Sequence, residues 1–376
     1  LSKKYIIALG IAIMIFTLLL SPDICIYAAK EGLLLWFNKI LPSLLPFIIL
    51  INILSGIDIM KNISALAHPI TRKIWNLPGS SLLAFIMGFI AGYPMGAKMV
   101  RQLLNQHIIS PNEAQKILCF SNNCGPLFIV GTVGTLMLNN SSIGYFLLFI
   151  HVLSALLLSI IFASYKIPPP TRQHKLTQCT EPVFTNFSSL LNSAITNAMD
   201  TIVHIGGYII FFSVIAHIIN HSPIMRYILH SDLMGNMPEV ISVGTITGLL
   251  ELSNGTSILS SSPPPTLYSI ALLSGLIGFG GLCVHFQTSY VLGDCHFSLF
   301  PYMIAKGMQG ILSFILSCVF LPFFSMYTLK TYLPLKSLWL FVLVLCIAVF
   351  IYIIKALNHL QHRKYNTIPK VNYHCN

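Results

Sequence analysis

Residues 88–101 read GFIAGYPMGAKMVR and directly follow the apolar run SLLAFIM of residues 81–87. The run suits a lipid-facing helix, yet Gly92, Pro94, Gly96 and Lys98 then follow in close order. Glycine leaves the backbone free and proline removes a hydrogen-bond donor, so the stretch predicts a helix break. In hydrocarbon every unpaired backbone group is costly, and a break persists only where it faces protein, solute or water. The reading that satisfies both conditions is a short hairpin that enters the membrane, turns at Gly92, Pro94 and Gly96, and returns to its own side.

Composition places the chain in a bilayer. Of its 376 residues 55% are hydrophobic and only 8% charged, and the mean hydropathy is +0.79. Ordinary soluble domains carry about a quarter charged residues. The net charge of +11 would suggest nucleic acid in a soluble chain, but here Lys and Arg lie mostly in loops and tails, where they set topology. No nucleic-acid partner is expected. The nine cysteines form no metal-type doublet and read as small buried hydrophobes, so neither a metal nor a cofactor is expected.

Uncharged apolar runs able to cross a core of about 30 Å occur at 5–21, 41–57, 143–165, 201–220, 269–293 and 337–354. Two further runs are less clean: 112–138 opens with SPNEAQK and is interrupted by SNNCGP, and 300–324 carries Lys306 near one end. The expected fold is therefore an all-α integral membrane protein with about eight transmembrane helices plus two re-entrant helical hairpins. The first run follows Lys3 and Lys4 and precedes CIYAAKEG, an outline shared with signal peptides. Its length of about 17 residues assigns it instead to a first transmembrane helix. The pieces AAKEGLLLWFNKI and SSLLNSAITNAMDTIVHI are spaced as amphipathic helices along the membrane surface.

Basic residues orient the spans. With the N-terminus in the cytoplasm, Lys61, Arg72 and Lys73, then Lys166, Arg172 and Lys175, then Lys355, Arg363, Lys364 and Lys370 all fall on that side, as does the C-terminus. The pattern holds only if 79–110 and 238–265 each enter the membrane and return.

The chain then repeats itself. The order of surface helix, span, loop, broken hairpin, broken span and plain span runs through 23–166 and recurs in 183–325. GFIAGYPMGAK from Gly88 and GLLELSNGTS from Gly248 stand about 160 residues apart, as do NCGPLFIVGT and GGLCVHFQTS. The first spans of the two halves run in opposite directions, so the expected plan is two inverted-topology repeats. An N-terminal helix (1–22), a cytoplasmic linker (167–182), a C-terminal transmembrane helix (326–354) and a basic tail (355–376) complete it. Inverted repeats with discontinuous helices are the sequence pattern of secondary transporters, whose site forms between the halves at the midplane.

The four breaks supply the candidate substrate-binding residues: Gly92, Tyr93, Pro94, Gly96 and Lys98 at the first hairpin tip; Ser121, Asn122, Asn123 and Gly125 in SNNCGP; Glu251, Ser253, Asn254 and Gly255 at the second tip; and Gln287 in the second broken span. Helix N-termini at such breaks hold anions without a basic side chain. The glycines have a second reading, close helix packing, and Lys98 a second one as an interfacial anchor. Glu251 inside an apolar hairpin is costly unless it faces a cavity, which makes it a candidate for proton or sodium coupling, with His285 as a possible relay. His285 also reads as a satisfied core histidine. No catalytic residue is expected: no GxSxG element occurs and no general base is placed by sequence.

EGLLLWFNKILPSLLPF (31–47), GFIAGYPMGAKMV (88–100), FSNNCGPLFIVGTVG (120–134), GLLELSNG (248–255) and GFGGLCVHFQ (278–287), in that order, resemble the sporulation integral membrane protein family YlbJ, also called SpoVV, whose members carry the nucleoside-transporter Gate domain. The resemblance covers about residues 28–325. The family is similar to concentrative nucleoside transporters. The resemblance implies carriage of a small anion, dipicolinic acid, across the outer forespore membrane of an endospore-forming bacterium. Carriage of nucleosides or another small metabolite, and a non-transporting scaffold for spore assembly, are the alternatives.

Overall fold

The computed structural model describes residues 3–55, 59–163, 186–229, 238–261, 266–293, 295 and 297–328. The linker 167–182, the apolar run 337–354 and the basic tail 355–376 lie outside the described residues. The chain divides into two units, Leu1–Ser317 and Cys318–Asn376. In the second, the described part is the end of one helix.

Among the described residues every regular element is helical. α1 (Lys3–Leu20) leads into α2 (Pro22–Leu35), which continues through a π-helical turn at Trp36–Ile40 into α3 (Leu41–Ser55). α4 (Ile59–Trp75) follows, and then α5 (Ser80–Ala91) and α6 (Met95–Asn105) form the first hairpin. α7 (Pro111–Ser121) is broken from a π-helical segment, Leu127–Met137, and α8 (Ser141–Ala163) closes the half. After the linker come α9 (Phe187–Asn220), α10 (Pro223–Leu229), the pair α11 (Glu239–Leu250) and α12 (Leu252–Ser260), the pair α13 (Leu267–Phe279) and α14 (Gly281–Leu292), and α15 (Phe300–Thr328).

The order of elements in the first half thus recurs in the second. A long helical run is followed by a lesser helix, a hairpin, an interrupted helix pair and an unbroken helix. Local chemistry sets several boundaries. Ser110 and Glu113 form a reciprocal capping box at the start of α7. Asn186 and Thr266 cap α9 and α13 through their side chains. The breaks fall at Gly92 (φ +81°) and Gly280 (φ +88°), left-handed positions that glycine takes without the Cβ penalty.

Among the described residues five helical runs are long and apolar enough to cross a membrane: Pro22–Leu54, Ser141–Phe162, Phe187–Asn220, Leu267–Leu292 and Phe300–Phe324. A sixth is possible if Leu66–Trp75 and Ser80–Ala91, bent by 89° to each other, form one broken span. Of the eight expected crossings 337–354 lies outside the described residues, and five of the other seven are among these runs. The apolar part of α1 is the shorter stretch Ala8–Leu20, and 112–138 is split between α7 and the π-helical segment. The two amphipathic pieces are not separate surface helices either. Each is the opening of a continuous helical run of 33 or 34 residues, which carries on through Pro42 at the first junction and through Gly206 and Gly207 at the second.

The faces of α8 show the membrane character. Tyr145, Phe149, Leu156 and Ile160 are exposed, whereas His151, Ser154 and Ser159 are buried. An apolar exterior around a partly polar interior is the arrangement a bilayer requires. The hairpin helices of 9–12 residues reach about 14–18 Å at 1.5 Å per residue, roughly half the hydrocarbon thickness.

Candidate functional site

The breaks of both halves meet around one partly open cavity of ≈ 60 Å³. The first hairpin contributes Gly92 and Tyr93, and the break after α7 contributes Cys124, Gly125 and Phe128. From the second half come Glu251, Leu252 and Ser253, with Val284 and Gln287 of α14. The long helices close the remainder with apolar side chains, Ile40, Leu44, Ile205 and Ile209. Six of the residues expected from the sequence therefore line one space: Gly92, Tyr93, Gly125, Glu251, Ser253 and Gln287.

Backbone contact builds the first side of this cavity. A Cβ on Gly92 would stand 2.8 Å from the Gly125 nitrogen, so the hairpin tip and the break fit together only as two glycines. The Tyr93 hydroxyl donates to the Ile277 carbonyl at 3.3 Å, which ties this tip to α13 of the other half.

On the opposite side Glu251 caps α12. Its carboxylate accepts from the backbone N–H of Ser253 at 3.0 Å and of Asn254 at 2.7 Å, and its side chain is 2% exposed. This corrects the expectation that both hairpin tips offer bare helix amides to an anion. At the second tip those amides already hold the protein's own acid.

The other expected residues stand behind the cavity wall. Pro94 precedes α6 as its N-cap. A Cβ on Gly96 would come 2.4 Å from the Ser121 carbonyl, and one on Gly255 would come 2.1 Å from Gly248 Cα, so both glycines serve close packing. Ser121 is buried, with its hydroxyl unpartnered among the described residues. The Asn254 side chain donates to Ser213 Oγ at 2.6 Å. Lys98 donates to Thr201 Oγ1 of α9 at 3.2 Å and is not part of the cavity wall. His285 lies between the rings of Phe279 and Tyr302, at 4.8 and 5.3 Å. Neither of its ring nitrogens has a hydrogen-bond partner among the described residues, unlike the satisfied core histidine that was one expectation.

Asn122 and Asn123 organise a buried polar cluster. Asn122 Nδ2 donates to Thr288 Oγ1 and to the Tyr302 hydroxyl, both at 2.8 Å, and its Oδ1 accepts from the Ala97 N–H at 3.3 Å. Asn123 Nδ2 donates to the Phe120 carbonyl at 2.7 Å, and its Oδ1 accepts from Gln309 Nε2 at 3.1 Å. Lys306 joins both asparagines, and its ammonium lies 5.2 Å from the centroid of the Tyr93 ring. Sequence reasoning treated Lys306 only as a charge inside an apolar run. The available signal was the helical spacing of Tyr302, Lys306, Gln309 and Ser313 in that run, which sets four polar side chains along one face.

A multispanning α-helical membrane protein with helices broken around a central cavity is the class these features define. Residues 37–162, from the π-helical turn through the first hairpin and break to α8, match the Gate family, described as nucleoside recognition. The chain is also 28% identical over 314 residues, 78% of its length and 77% of the relative's, to the sporulation integral membrane protein YlbJ of Bacillus subtilis (strain 168). No solved structure matches.

Proposed function

We propose that this protein is a membrane carrier of a small solute, bound where the broken helices of two inverted-topology repeats meet. The observation that carries the reading is the cavity lined by the tips of both hairpins and by residues next to both remaining breaks. Backbone polarity this deep in an apolar chain is retained where a solute or water replaces the lost hydrogen bonds. At ≈ 60 Å³ the cavity is well below the roughly 300 Å³ at which small-molecule sites begin. Carriage then involves movement of the hairpins apart.

The solute proposed is a small anionic metabolite, with dipicolinic acid as the first choice. Similarity to a sporulation membrane protein supports it, as does Lys306, whose charge stands behind Tyr93 on the first side of the cavity. Because Glu251 holds the amides of α12, a carboxylate of the solute is met from the side of Tyr93 and Gly125, and Ser253 and Gln287 bind its other polar atoms. The membrane proposed is the outer forespore membrane, with both termini in the cytoplasm. The description of the Gate family favours a second reading, a nucleoside as solute. No catalytic step is assigned to any residue.

Purified protein in liposomes, given labelled dipicolinate or labelled nucleoside, tests the proposal. Saturable dipicolinate uptake that excess unlabelled dipicolinate abolishes is the expected result. Nucleoside uptake alone would transfer the assignment to the second reading, and uptake of neither would leave a scaffold.

A further inference from the structure

Lys306 is completely buried and lies within the unit Leu1–Ser317. Its Nζ donates to the Asn122 backbone carbonyl at 2.8 Å, to Asn123 Oδ1 at 3.2 Å and to Gln309 Oε1. All three acceptors are neutral. The nearest buried acid of the cavity, Glu251, spends its carboxylate on the start of α12. Three acceptors engage three N–H groups, which an ammonium has and a neutral amine lacks. An ammonium taken out of water without a counter-ion is costly, and negative potential in another form offsets that cost.

The end of α7 supplies it. Asn122 is the residue that closes this helix, and the last carbonyls of a helix lack intrahelical partners and carry its negative end. The cage is also held in place from behind. Gln309 Nε2 donates to Asn123 Oδ1 at 3.1 Å, and the Asn122 amide is anchored on Thr288 and Tyr302. One main-chain carbonyl at a broken helix, two side-chain carbonyl oxygens and an aromatic face are the donor set that carriers with unwound helices present to alkali cations.

We propose that the Lys306 ammonium is a tethered monovalent cation, filling an alkali-cation site at the broken end of α7. The covalent attachment makes the break permanently occupied, so it needs no free sodium to form. This rests on the carrier reading for its bearing on coupling, since it removes sodium bound at this position from the cycle. The site itself is independent of which solute is carried.

Thermal unfolding of the purified protein tests this without any solute, so its outcome is separable from that of the uptake assays. At constant ionic strength, choline chloride is replaced by LiCl, NaCl or KCl. The wild-type Tm is expected to move by less than about 1 °C, whereas Lys306→Ala, melting lower in choline, is expected to recover by about 3–8 °C with saturable dependence on at least one alkali cation. Lys306→Met, which keeps the stem in the cage, should be destabilised without recovery, and Asn123→Ala added to Lys306→Ala should abolish the recovery. The proposal is overturned if Lys306→Ala is equally unstable, or yields no folded protein, in every one of these salts. It is also overturned if wild type responds to them as strongly as the variant.

Discussion

The Tyr93 hydroxyl donates to the carbonyl of Ile277, 184 residues further along the chain, at 3.3 Å. That bond joins the tip of the first hairpin to the first helix of the second broken span. The same ring covers Gly280, where an added Cβ would lie 3.1 Å from Tyr93 Cζ, and its face receives the Lys306 ammonium. One side chain therefore links a turn, a break and a buried charge.

Tyr93→Phe separates these roles, because it keeps the ring and deletes only the hydroxyl. The expected loss is about 0.5–1.5 kcal/mol, the ordinary net worth of one hydrogen bond. Tyr93→Ala also removes the cation–π contact and opens the cavity, and is expected to cost more than twice as much. Thermal melts of the two variants in detergent give the comparison. Equal losses would mean that the ring contributes nothing beyond its hydroxyl.

Glu251→Gln leaves shape intact but replaces one carboxylate oxygen with an amide that cannot accept from a backbone N–H. One of the two bonds to Ser253 and Asn254 is lost, with an expected destabilisation of about 1–3 kcal/mol. Uptake should fall as well, since the residue lines the cavity. Transport at wild-type rate under every proton and sodium gradient would remove Glu251 from the mechanism.

The second hairpin depends on glycine for its closeness. Gly255→Ala places a methyl group 2.1 Å from Gly248 Cα, a contact that only separation of α11 and α12 relieves, and the expected result is a loss of folded protein in membranes. Gly207→Ala is the matched control. It lies inside α9 with nothing within 4 Å of the added Cβ, and alanine there is expected to be neutral or to stabilise by up to about 1 kcal/mol. Expression and melting of the pair distinguish packing from a general intolerance of Gly→Ala changes.

Asn122→Ala deletes both donors to Thr288 and Tyr302 and the acceptor for Ala97. Leaving their partners unpaired in the interior costs about 1–3 kcal/mol for each group, so the total is expected to exceed that of any single hydrogen bond in the protein. A melt no lower than that of Tyr93→Phe would show that these partners find replacements.

The breaks were legible because their causes are local. Gly92, Pro94 and Gly280 interrupt apolar runs by their own backbone chemistry, and helices end at those places. The number of crossings was less legible. Hydropathy cannot register that residues 22–54 and 187–220 are continuous helices, since an amphipathic opening and an apolar continuation look like two elements when composition is averaged in windows. Among the candidate residues the glycines were the most ambiguous, as the same residue type serves a turn at Gly92 and a packing contact at Gly255.

By itself the sequence determined that the chain is a helical membrane protein and that Gly92, Pro94 and Gly280 interrupt its apolar runs, because such interruptions act on their own neighbours. Only the tertiary structure decided that Glu251 faces the cavity while capping α12, and that Lys306 closes on Asn122, 184 residues away. Those pairings depend on how helices from both halves stack. The cost of burying a charge selects such partners in space, without regard to their distance along the chain.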